Sequence, residues 1–275
     1  MNSILNAIVD NKRREVEAKA MLGIYDKALS HATKSVYTPV SMSRSITDNE
    51  VGIIAEFKRR SPSRGDIHPG AVADEIVKGY TKSGAAACSI LTDTVYFGGA
   101  LGDLALARKS TSLPLLRKEF IVDSCQIFEA RIYGADAILL IASILSFNDI
   151  VKFTDTAHQL GMEVLLELHD MDELDRFNPE VDMVGINNRN LSTFVTDTDV
   201  SLRMASALPD DIVKVAESGL SSIAEIHRLR DAGYRGFLIG ETFMKHQHPG
   251  NALKDFINAT ESVSYTHLTL PTSYS

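Results

Sequence analysis

Ile53-Ile54-Ala55-Glu56-Phe57-Lys58-Arg59-Arg60-Ser61-Pro62-Ser63-Arg64-Gly65 begins as a buried strand and ends as a polar loop. Val51, Ile53, Ile54 and Phe57 carry the β-branched and aromatic bias of a strand, and Pro62 and Gly65 stop regular structure. Strand side chains alternate between faces, so Glu56 and Lys58 share one side and Phe57 takes the other. Ser61 follows within reach of the strand end. An acid, an amine and a hydroxyl at the carboxyl end of an apolar strand mark part of a site. A structural Glu–Lys pair on an exposed face is the alternative.

Outward from this stretch the chain alternates. Strands are expected at 51–57, 86–91, 114–118, 136–141, 163–168, 181–186, 212–216 and 236–239. Helices are expected at 71–83, 101–110, 124–133, 147–160, 170–177, 199–207, 221–232 and 250–260. Gly84, Gly134, Gly161 and Gly233 follow four of these helices, where a left-handed residue ends a helix. Regular strand–helix alternation implies a parallel sheet. Eight units match the α/β class and a single closed (β/α)8 TIM barrel, with an open doubly wound sheet as the alternative. Residues 1–20 form an amphipathic helix with Ile4, Leu5, Ile8 and Val9 on one stripe, packed on the barrel or closing one end of it. Residues 30–50, rich in Ser and Thr, read as a loop or short helix. The expected organisation is an N-terminal helical extension over 1–50, a catalytic barrel over 51–262 and a disordered tail over 263–275. The tail holds no Asp, Glu, Lys or Arg after Ser262, and Val263–Thr272 resembles the translation of a sequencing adapter, so it is expected not to be native.

The composition of the 275 residues, 44% hydrophobic and 23% charged, is that of an ordinary globular protein. A net charge of -8 argues against a nucleic-acid partner held by a general basic field. Cys88 and Cys125 have neither disulfide nor metal spacing, which favours a reducing cytoplasm. No apolar run reaches membrane-spanning length. No metal constellation is legible: His246 and His248 read as solvated, and His169 has no evident His or Cys partner. Gly98-Gly99 and Gly102 make only a weak dinucleotide pattern.

In a barrel, sites are built at the carboxyl ends of the strands. Those ends carry Glu56, Lys58 and Ser61; Thr92, Asp93 and Phe97; Lys118, Glu119 and Phe120; Glu167; Asn187, Asn188 and Arg189; Glu217, Ser218 and Gly219; and Gly240 and Glu241. Two lysines and three glutamates aimed at one mouth must be paired or used, because buried charge is costly. Lys58 and Lys118 are candidate acids or anion holders, and Glu56, Glu167 and Glu217 candidate bases. A partly desolvated lysine is expected to lose pKa and donate protons near neutrality. Backbone amides at Gly219, Gly240 and Glu241 suit a phosphate.

Ile54–Ser63, Leu115–Asp123, Gly185–Leu191, Ala216–Leu220 and Leu238–Glu241 together resemble the indole-3-glycerol-phosphate synthase family, and the likeness runs from about residue 4 to about 260. That resemblance implies a cofactor-free, metal-free carboxy-lyase of tryptophan biosynthesis. Its substrate is 1-(2-carboxyphenylamino)-1-deoxyribulose 5-phosphate, which it closes to indole-3-glycerol phosphate with loss of carbon dioxide and water. It implies Lys118 as the acid for ring closure and Glu167 as a base, with Glu56 and Lys58 in proton transfer and positioning. Asn187 and Glu217 would orient the substrate, Ser61 and Arg189 would hold the carboxylate and ribulose ends, and Phe97 and Phe120 would pack on the ring. Ser218, Gly219, Gly240 and the Glu241 amide would hold the phosphate. The expected partner is a small phosphorylated substrate, with no nucleic acid and no membrane. The chain is expected to be monomeric and cytoplasmic, with docking to other enzymes of that pathway left open. The rival readings are another phosphosugar barrel, such as phosphoribosylanthranilate isomerase with its cysteine–aspartate pair, and a non-catalytic barrel that binds a phosphorylated ligand.

Overall fold

The computed structural model describes residues 4–190 and 195–267, with side chains described up to residue 261. The alternation read from the opening strand is physical: Ile53, Ala55 and Phe57 pack outward under helices, while Ile54 packs inward with residues of the other strands. The strands are β1 (Gly52–Phe57), β2 (Ala87–Leu91), β3 (Leu115–Lys118), β4 (Ala137–Ile141), β5 (Glu163–Leu168), β6 (Met183–Asn187), β7 (Val213–Glu217) and β8 (Gly236–Ile239). Each pairs in parallel with its neighbours in sequence, and β8 pairs with β1 to close a TIM barrel. A short antiparallel ribbon, Arg60–Ser61 against Gly65–Asp66, rises from the end of β1.

Three helices precede β1: α1 (Ile4–Met21), α2 (Ala28–Thr33) and α3 (Met42–Asp48). The Ser/Thr-rich stretch thus forms short helices, and its hydroxyls explain why. Ser41 caps α3 by accepting from the Arg44 amide, and Glu163 at the start of β5 accepts from the amides of Met42 and Ser43 at 2.8 Å each. Met42 and Ile46 of α3 are fully buried among inward residues of the barrel. Truncating such a side chain costs roughly 2–5 kcal/mol.

The strands are followed in turn by α4 (Ala73–Lys82), α5 (Leu101–Ser110), α6 (Ser124–Ile132), α7 (Phe147–Gln159), a 3-10 helix (Met171–Arg176), α8 (Asp199–Ala205), α9 (Ile223–Asp231), and α10 (Glu241–Met244) with α11 (Pro249–His267). Gly134 and Gly233 take φ of 89° and 97° after α6 and α9, the left-handed ends their spacing predicts. Two expectations change. The helix expected over 170–177 is a single 3-10 segment, because Asn178-Pro179 follows at once and the residue before a proline avoids the α region. The tail expected from 263 is not wholly unstructured: α11 continues through His267, since no Gly or Pro interrupts it before Pro271. The rest of that expectation falls on 268–275, outside the described residues.

Candidate active site

The carboxyl ends of the strands open into a cavity of about 380 Å³. It is lined by Glu56, Lys58, Ser61, Phe97, Lys118, Phe120, Glu167, Asn187, Arg189, Glu217, Ser218, Gly219, Gly240 and Glu241, every residue to which the family resemblance gives a role; Thr92, Asp93 and Asn188 do not line it. Ile4, Leu5 and Ile8 of α1 add an apolar wall, and the rings of Phe97 and Phe120 stand 5.9 Å apart within it.

Alternation sorts adjacent cations into different layers. After β1, Lys58 turns inward and its Nζ lies 2.7 Å from Glu56 Oε1. Arg59 turns outward, lies 4.8 Å over the Phe57 ring and donates two bonds to Asp103, at 2.6 and 2.7 Å. On β3, Arg117 turns to the helix layer, where it donates to Glu129, Thr92 and the Gln126 carbonyl. Lys118 turns into the mouth. Its Nζ donates to Glu167 Oε2 at 3.0 Å and makes a very short contact with Glu217 Oε2. Asn187 Nδ2 donates to Glu167 Oε1 at 3.1 Å. Both Glu167 oxygens are therefore engaged. Glu217 Oε1 is buried without a hydrogen-bond partner among the described residues.

These contacts move the proton affinities in a way that overturns one expectation. Burial pulls the Lys118 ammonium down, but Glu217, Glu167 and Glu56 outweigh it, and the pKa lies well above the usual lysine range. Lys118 is a fixed ammonium rather than a lysine poised near neutrality. Burial pushes Glu167 up, yet Lys118, His169 and Asn187 hold it well below the usual carboxylate range. For Glu217, burial joined by repulsion from Glu167 and Glu56 beats the pull of Lys118, and the carboxyl is pushed up to about 7. Two carboxylates that share one lysine are thus driven apart.

Two glycines make room for these carboxylates. A methyl group on Gly240 would lie 2.5 Å from Glu56 Oε1, so the space at Gly240 is taken by the carboxylate as well as opening on the cavity. On β6, a methyl on Gly185 would lie 2.2 Å from Glu217 Oε1. Glu217 is held by Lys118 and cannot yield without moving the pair. Gly185→Ala is expected to cut turnover by about a hundredfold through this displacement. Steady-state kinetics with a circular-dichroism spectrum checks it; unchanged turnover in a folded variant would show that Glu217 moves freely.

The loops are tied across the mouth. Arg189 Nη1 donates to Ser63 Oγ at 2.7 Å, and Arg64 Nε lies 3.0 Å from Glu241 Oε1. Ser218 and Gly219 take φ of 65° and 74° in succession. Asn188 secures this turn, donating to the carbonyls of Glu217 and Ser218 while accepting from Ser201. Asp93 and Glu119 are spent on α1: both reach Lys12, at 3.1 and 3.2 Å, and Thr92 donates to Glu119, which also borders the cavity. Cys88 is buried between strands and helices, and burial pushes its thiol up to about 12, so it cannot serve as the acid–base cysteine of an isomerase. His246 and His248 are exposed. Sequence reasoning weighed His169 only as a metal ligand; its ring lies between Glu167 and Glu173. Its position two residues after Glu167, hence on the same face, was the available signal.

A family model described as Indole-3-glycerol phosphate synthase matches residues 5–256. The indole-3-glycerol phosphate synthase of Bacteroides thetaiotaomicron is 48% identical over 261 residues, which span 95% of this chain and all of that protein. That of Koribacter versatilis is 42% identical, over 94% of this chain and all of its own length. Among solved structures, thiamine phosphate pyrophosphorylase from Pyrococcus furiosus superposes with a TM-score of 0.57 at 11% identity, over 81% of this chain and 99% of its own. An N-acetylmannosamine-6-phosphate 2-epimerase from Clostridium perfringens gives 0.57 at 14%, over 82% and 99%. At those identities the two structures speak to the barrel alone.

Proposed function

The chain belongs to the indole-3-glycerol phosphate synthase family, and from that premise we propose how its mouth closes 1-(2-carboxyphenylamino)-1-deoxyribulose 5-phosphate to indole-3-glycerol phosphate. The observation that carries the reading is the pair of ammonium–carboxylate groups, Lys58–Glu56 and Lys118 with Glu167 and Glu217, set around a half-apolar cavity.

Ring closure joins the aromatic carbon bearing the carboxylate to the ketone carbon of the ribulose chain. Negative charge then builds on the ketone oxygen and must be met by a proton donor. An ammonium has three N–H donors, and Lys118 spends two of them on Glu167 and Glu217. The third is left for that oxygen. Loss of carbon dioxide restores electrons to the ring. Departure of the new hydroxyl as water needs a second donor and removal of a ring proton. Lys58 with Glu56, and Glu167 or Glu217 on the opposite side, are the groups available for these transfers. Phe97, Phe120 and the α1 wall suit the anthranilate ring, and Arg189 and Ser61 its carboxylate and the ribulose end. Ser218, Gly219, Gly240 and the Glu241 amide, the last at the head of α10, suit the phosphate.

The reaction so assigned is that of a carbon–carbon lyase that needs no cofactor, acting as a monomer in the cytoplasm. Among the described residues no helix is long and apolar enough to cross a membrane. Mixing the chain with the carboxyphenylamino substrate is expected to produce indole fluorescence at a rate proportional to protein. Absence of that signal with intact substrate would refute the reading.

A further inference from the structure

We propose that His169, set between Glu167 and Glu173, works as a cationic clamp on Glu167, a positioning residue that keeps this carboxylate ionised and aimed at Lys118; the inference deepens the synthase reading and rests on it. The geometry is two-sided. His169 Nε2 lies 3.1 Å from Glu167 Oε1, an ion-pair contact that is not aligned as a hydrogen bond, and His169 Nδ1 is hydrogen-bonded to Glu173 Oε2 at 3.3 Å. The His169 backbone amide also donates to Glu173 Oε2, at 2.7 Å. A neutral imidazole has one N–H and one lone pair, and a lone pair facing a carboxylate is repelled. An imidazole with a carboxylate against each nitrogen therefore favours both protons. The His169 side chain is only 10% exposed, so water screens neither contact.

Four elements around the pair contribute a charge. Glu167 comes from β5, Glu173 from the 3-10 helix that follows, Lys118 from β3, and Glu217 from β7. The segment Ala142–Ile144, packed on that 3-10 helix, carries no ionisable side chain. Burial lowers the imidazole's affinity for its proton, but Glu167 and Glu173 outweigh it and raise the pKa to about 10. Glu173 thereby acts at a distance: it holds the cation that holds the carboxylate. The arrangement leaves Glu167 flanked by an ammonium, an imidazolium and the Asn187 amide, and so ionised in the resting site, ready to serve as a base.

The first test needs no substrate. Imidazole 15N resonances of the whole chain, assigned with His169→Gln, are expected to show His169 doubly protonated from pH 6 to above pH 8. In Glu173→Gln the same resonance should titrate at lower pH. Titration of the wild-type resonance near the ordinary value of about 6.5 would overturn the clamp. The second test is kinetic. His169→Gln keeps a donor but no charge, and is expected to lower kcat by roughly ten- to a hundredfold, the usual cost of removing the outer partner of a functional ligand. KM should stay within about threefold, and the acidic limb of kcat should move up by about one pH unit or more as Glu167 loses its cation. A folded His169→Gln with unchanged kcat and an unmoved limb would overturn the positioning role. Because the resonance is read without substrate, failure of the synthase assay and failure of the clamp are separate results.

Discussion

Lys118→Met is expected to lower turnover by about 10²–10⁴-fold, with a far smaller change in substrate affinity. Methionine nearly matches the length of lysine and fits the wall beside Phe120, so the cavity keeps its shape. What is lost is the donor that meets charge appearing only as the ring closes. The fold should tolerate the change. Without the ammonium, Glu167 and Glu217 would face each other as like charges, but Glu217 is already pushed up to about 7 and can relieve this by taking a proton. His169 and Asn187 would still hold Glu167. Single-turnover kinetics with a melting curve decides the matter, and a folded variant within tenfold of wild-type turnover would remove Lys118 from the acid role.

The barrel was legible because its signals are local. Strand periodicity, helix-ending glycines such as Gly134 and apolar runs such as Ala137–Ile141 each depend on a few neighbouring residues. The meeting of Glu56, Lys58, Lys118, Glu167 and Glu217 was legible for the same reason: parallel strands carry their last inward residues to one rim. The proton affinities were not. That Lys118 rises instead of falling depends on three carboxylates from β1, β5 and β7, separated along the chain and joined only by barrel closure. The room that Gly185 leaves for Glu217 and Gly240 for Glu56 is equally non-local. His169 lay in plain view, but an imidazole is easily sought as a metal or proton-relay partner and not as a counter-ion for two carboxylates. The 3-10 segment at Met171–Arg176 shows the remaining weakness, because residue preferences do not separate a short 3-10 turn from a short α-helix.

Glu167→Gln and Glu217→Gln should separate these neighbours by sign as well as size. In Glu167→Gln the amide oxygen can still accept from Lys118. Its NH2 group would then face the Asn187 amide and the His169 ring, both donors, in a site with little water. Turnover is expected to fall about 10²–10⁴-fold, with no gain in stability. Glu217→Gln should be milder in turnover if Glu217 orients the substrate, and it should raise stability above neutrality. The folded pKa of Glu217, about 7, lies above its unfolded value near 4.5. The folded state therefore holds this proton more tightly than the unfolded chain. That contribution is complete below pH 4.5 and is lost as pH rises through 7. At pH 8 the wild type buries an ionised carboxylate against Glu167 and Glu56, at a cost on the order of 3 kcal/mol or less. The amide avoids that cost and its oxygen can still accept from Lys118, but as a neutral partner in place of a charged one. Melting temperatures at pH 8 and pH 4 measure the balance. The variant should melt above the wild type at pH 8 and no higher at pH 4; a lower melting temperature at pH 8 would mean that the Lys118 contact outweighs the repulsion, and that Glu217 is an ordinary ionised partner.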